Sequence, residues 1–87
     1  MARTVKLTTE EIAELDLQDP HSKRDGGFQS LMVDLQNRLD RDAHELSLSD
    51  GDLERIPRYA FDYKNGGWQN RLVQIFGREL GPQLGRK

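Results

Sequence analysis

The sequence predicts an all-α domain: four to five helices arranged as two tandem helix-turn-helix-like hairpins, packed with approximate two-fold symmetry. Three observations carry this expectation. Two segments place apolar residues at the helical period. Phe28, Leu31, Met32, Leu35 and Leu39 fall at i, i+3, i+4, i+7 and i+11, and Trp68, Leu72, Ile75, Phe76 and Leu80 at i, i+4, i+7, i+8 and i+12. A motif occurs twice, as Asp25-Gly26-Gly27-Phe28-Gln29 and as Asn65-Gly66-Gly67-Trp68-Gln69, 40 residues apart. Upstream of each copy stands a helix-starting dipeptide, Leu7-Thr8 and Leu48-Ser49.

Taken in order, residues 1–6 are expected to be a flexible arm. Thr8 is an N-cap with Glu11 at the capping-box position, and Glu10 and Glu11 complement the positive helix start. That first helix is expected to end near Leu17, because Asp19-Pro20 disfavours continuation. Residues 18–25 read as a loop, and a long amphipathic helix follows over about 27–40. Residues 40–48 read as a second linker. Ser49 is the next N-cap, with Asp52 at its N3 position, and Leu53, Ile56, Ala60 and Tyr63 trace one helical face. Pro57 lies inside that face and costs about 3 kcal/mol in a regular helix interior. A kink at Ile56-Pro57, or two short helices, is the expectation. The last helix runs over 68–80 and stops at Gly81-Pro82. Residues 82–87 are expected to form a flexible basic tail.

The two long segments share 5 identities in 15 positions at the 40-residue offset: two Gly, Gln, Val and Arg. Each half, about 7–40 and 48–80, has one apolar face that it cannot bury alone, so packing the halves together makes a single domain over 7–81.

Composition narrows the function classes. The 87 residues carry no cysteine, which removes disulfides, thiolate zinc sites and thiol nucleophiles. The formal charge is −2, with both signs interspersed, so no general attraction to nucleic acid is expected. No apolar run reaches the roughly 20 residues of a membrane span, and no secretory signal opens the chain. The expectation is a cytoplasmic protein with no membrane association.

Candidate chemistry is sparse. His21 and His44 are the only histidines, both in polar linkers. Asp40, Asp42, Asp50 and Asp52 lack the glycine and glutamate spacing of a calcium loop. The Gly-Gly turns lack the Lys-Ser/Thr of a phosphate loop. No catalytic set, metal or cofactor is expected, and the chain is read as not an enzyme.

Phe28, Phe61, Trp68 and Phe76 are expected in the core, with Trp68 as its anchor. Arg55, Arg58, Tyr59 and Tyr63 cluster on one helix, and these residue types are enriched at protein contact hot spots. The leading expectation is therefore a small protein-interaction module (an adaptor, inhibitor or regulatory subunit) acting through those four residues. The alternative is a DNA- or RNA-binding regulator that presents Gln69, Asn70, Arg71, Gln74 and Arg78 from the last helix. Either works as a monomer or weak homodimer.

Overall fold

The computed structural model describes residues 2–86. The elements run β1 (Arg3–Lys6), α1 (Thr9–Leu15), a single 3₁₀ turn (Lys23–Asp25), α2 (Gly27–Arg38), β2 (Glu45–Leu48), α3 (Asp50–Phe61) and α4 (Gly66–Leu80). The strands pair antiparallel, with Arg3 opposite Leu48, Thr4 opposite Ser47, Val5 opposite Leu46 and Lys6 opposite Glu45.

The all-α expectation is thus corrected. The domain is mostly helical but contains a two-stranded antiparallel sheet. Residues 3–6, expected as a flexible arm, form β1, and part of the expected 40–48 linker forms β2. Each half is therefore strand–helix–helix rather than a helical hairpin. Val5 and Leu7, and Leu46 and Leu48, alternate inward at the strand period, and all four are buried. Four-residue strands carry too few positions for their period to stand out, and their partner lies about 40 residues away.

Both capping boxes form. The Thr8 hydroxyl accepts from the Glu11 backbone N–H, and the Glu11 carboxylate accepts from the Thr8 N–H. Ser49 and Asp52 repeat the arrangement at the start of α3. The first helix stops two residues before its expected end. Gln36, buried on α2, donates to the carbonyls of Leu15 and Gln18 and so satisfies the close of α1. Leu17 is left on the surface, 71% exposed.

α3 runs as one continuous helix through Pro57, without division into two. Ile56, Pro57 and Ala60 are all buried, so tertiary packing outweighs the lost backbone bond. Gly81 ends α4 with φ +92, the left-handed region that favours glycine at a helix terminus. The C-terminal segment, expected to be flexible, docks as far as residue 86. Leu84 is fully buried, and Arg86 binds Asp62 through two bonds of 2.7 and 2.9 Å. Lys87 lies outside the described residues.

The core lies between the inner face of the sheet and the four helices. Its largest fully buried side chains include Phe28, Phe76, Leu31, Leu35, Ile56 and Ile75. Phe61 and Trp68, expected in the core, are half-buried at its edge.

Contacts between the halves are reciprocal. Arg38, closing α2, donates to the Ser47 carbonyl and to the Asp52 carboxylate at the head of α3. Arg78, on α4, donates to the Lys6 carbonyl and to the Glu11 carboxylate at the head of α1. Ser47 and Asp52 stand 41 residues after Lys6 and Glu11, and Arg78 stands 40 after Arg38. Val5 is paired with Leu46, its own counterpart at that offset.

Candidate functional site

The site is built where α3 ends and α2 and α4 begin. Tyr59 projects from the last turns of α3, and Tyr63, four residues on, lies just past its end in the turn to α4. Their rings stack with centroids 5.0 Å apart and planes 15° from parallel. The turn into α4 is tight. Lys64 adopts φ +54, and the Asn65 side chain accepts from the Trp68 N–H as the α4 N-cap. That turn brings Trp68 edge-on to both tyrosines, at 5.8 Å from Tyr59 and 5.7 Å from Tyr63. On its other side Trp68 stacks on Phe28 at 4.7 Å and 6°.

The two aromatics of the repeated motif thus lie face to face, and Phe28 roots the cluster in the core. Tyr63 is the outermost ring, 53% exposed. Gly27 seats the cluster from below. A Cβ at that position would fall within contact distance of the Tyr59 hydroxyl and 3.0 Å from Cζ. The second Gly of the first motif is therefore needed for a close approach by a side chain.

Charge surrounds this surface unevenly. The Arg58 guanidinium lies 5.9 Å from the Tyr59 ring centroid and binds Glu54 at 3.0 Å, while its Nε has no partner among the described residues. Lys64, next to Tyr63 in the chain, has no carboxylate partner among the described residues. Asp62, two residues before Lys64, is neutralised by Arg86, whose guanidinium holds its carboxyl below the usual range.

Of the four residues expected to form a contact surface, Tyr59, Tyr63 and Arg58 come together. Arg55 instead turns back to Asp52 at 2.9 Å. Burial opposes ionisation of Asp52, but bonds from Arg38, the Ser49 backbone and hydroxyl, and Arg55 outweigh it and bring the carboxyl down to about 2. Arg55 thus completes a structural cap.

The set expected for nucleic acid is divided. Gln69, Asn70 and Gln74 are exposed on α4, with Gln74 bonded to Asn70. Arg71 turns under the helix to Gln18 Oε1 at 2.7 Å and lies over the Phe28 ring at 5.6 Å. Arg78 is held by Glu11 and the Lys6 carbonyl. The two arginines of that face are thereby committed to the fold. Trp68, Lys64 and Gly27 were missed as site residues, although the doubled Gly-Gly-aromatic motif marks two of them.

Elsewhere, a surface groove of about 430 Å³ is lined by residues that include Asp16, Gln36, Asn37 and Arg41. Its charges satisfy one another, with Arg41 and Asp16 joined by two bonds of 2.9 and 3.0 Å. Among the described residues no three His, Asp or Glu side chains gather as a metal site. No helix among the described residues is long and apolar enough to cross a membrane.

No protein-family model, curated protein or solved structure matches the chain. The functional reading therefore rests on the site itself.

Proposed function

We propose that this protein is a small non-enzymatic interaction module that binds a protein partner through the Tyr59–Tyr63–Trp68 surface. One observation carries the reading. Tyr63 is a large aromatic ring, 53% exposed, yet held in place by Tyr59 and Trp68, which are themselves fixed on buried Phe28. An ordered, solvent-facing aromatic offers contact area without the entropy cost of ordering a mobile side chain. Arg58 and Lys64 beside it favour a partner that presents carboxylates around an apolar contact. Lys64 also holds a left-handed conformation that Gly or Asn adopts more readily, and local strain of this kind gathers at working surfaces. The module fits an adaptor, inhibitor or regulatory subunit in the cytoplasm.

The test is affinity capture of the tagged protein from its native lysate, with and without nuclease, beside Tyr63→Ala and Lys64→Ala. Tyr63→Ala removes exposed area and leaves the core in place, so its thermal unfolding should match the wild type. A partner that survives nuclease and is lost with Tyr63→Ala supports the reading. A partner retained by both variants, or one that disappears with nuclease, overturns it, and the second result moves the function to the exposed Gln69, Asn70 and Gln74 of α4.

A further inference from the structure

We infer that two copies of this chain can exchange halves, forming a dimer in which residues 2–39 of each copy pack against residues 45–86 of the other. The geometry of the inter-half contacts carries this. Each half leaves its main needs to the other: among the described residues β1 has only β2 as a strand partner, Asp52 takes Arg38, and Glu11 takes Arg78. The aromatic surface is composite as well, because Tyr59 and Trp68 of one half sit on Gly27 and Phe28 of the other. None of these contacts requires both halves to belong to one chain.

A single covalent crossing joins the halves, and it is a strained turn. Asp40 and Glu45 exchange backbone bonds of 2.8 and 3.2 Å, and the Asp40 carboxylate accepts from the N–H groups of Asp42 and Ala43. His44 closes the turn at φ +58, where a non-glycine residue is disfavoured. Opening the turn loses those bonds, releases His44, and leaves a link able to run extended between two globules. Short hinges of this kind invite exchange between protomers. Each exchanged globule keeps every inter-half contact, and the dimer presents two aromatic surfaces, each completed by the other copy's Gly27 and Phe28.

The chain has no cysteine, so an introduced pair reports connectivity without interference. Thr4 and Ser47 lie opposite each other on the exposed face of the sheet, with hydroxyls 3.4 Å apart. The full chain carrying Thr4→Cys and Ser47→Cys is unfolded under reducing conditions, refolded over a range of protein concentrations, oxidised and run on a denaturing gel without reductant. A second version also lacks Arg41–Ala43, which prevents the turn from closing.

With the full hinge, a disulfide-linked band at twice the chain mass should grow with concentration at the expense of the single-chain band. With the shortened hinge, light scattering should give a doubled mass, and the linked dimer should dominate. Single-chain disulfides at every concentration with the full hinge overturn the inference, whether or not the shortened chain folds. A shortened chain that stays monomeric, or dimerises with its disulfides closed within each chain, overturns it equally.

Discussion

Gly27→Ala is the sharpest probe of how the aromatic surface is seated. At the first position of α2 the change should be mildly favourable for the backbone, since alanine exceeds glycine by about 1 kcal/mol in a helix interior and by less at the first turn. The structure predicts the opposite sign. The new methyl group meets the Tyr59 hydroxyl inside contact distance and Cζ at 3.0 Å. Tyr59 cannot simply swing aside, because Tyr63, Trp68 and Phe28 hold its ring on three sides. Overpacking of this kind costs about 1–3 kcal/mol. Tyr59→Phe removes the worst overlap and leaves only the Cζ contact, which a shift of a few tenths of an ångström relieves. In that background Gly27→Ala should therefore fall within about 0.5 kcal/mol of neutral. The assay is urea unfolding by far-ultraviolet circular dichroism for the four members of the cycle, with the coupling taken from the difference. A neutral Gly27→Ala in the wild type, or an equal loss in both backgrounds, would refute the seating argument.

Other outcomes follow from the same contacts. Asp52 has a folded-state carboxyl near 2 against 3.8 for the unconstrained group, so its contribution is fully present above about pH 4 and lost as pH falls toward 2. The loss is about 2 kcal/mol, read from urea unfolding at pH 6 and pH 2.5, and Asp52→Asn should flatten that part of the profile. Arg38→Ala should cost about 2–4 kcal/mol, because it strips the main partner from a carboxylate that is only 1% exposed. Arg78→Ala should cost less, since its side chain is 52% exposed and Glu11 keeps its cap bonds to Thr8; equal losses in thermal unfolding would contradict the ranking. Lys64→Gly should raise stability by about 0.5–1 kcal/mol by relieving the left-handed backbone, while weakening partner capture. A destabilised variant would show that Lys64 is held by contacts rather than strained.

Local patterns in the chain determined a good deal. Thr8 with Glu11, and Ser49 with Asp52, mark two helix starts because a hydroxyl and a carboxylate three residues apart satisfy orphan backbone N–H groups with no help from elsewhere. The apolar stripes of α2 and α4 mark long helices for the same reason: a 3.6-residue period over twelve or more positions has no other reading. Gly81 before Pro82 stops α4 by backbone chemistry alone. The pairing of Tyr59 with Tyr63 was legible too, since positions four apart lie over one another at helical spacing.

Tertiary structure alone decided the rest, and in each case the deciding partner is far away in sequence. β1 and β2 exist because Val5 meets Leu46 across the core, and neither four-residue segment has a period long enough to stand out by itself. Pro57 stays inside one helix because packing against the core outweighs its local penalty. Arg55, Arg71 and Arg78 read as free surface cations, but Asp52, Gln18 and Glu11 claim them, and a guanidinium's partner is set by the folded chain. The clearest case is Gly27, whose need to be glycine comes from a tyrosine hydroxyl on another helix. Backbone propensity and periodicity act over a few residues and can be read along the chain. Pairing, burial and close approach depend on which segments meet, and only the fold brings those together.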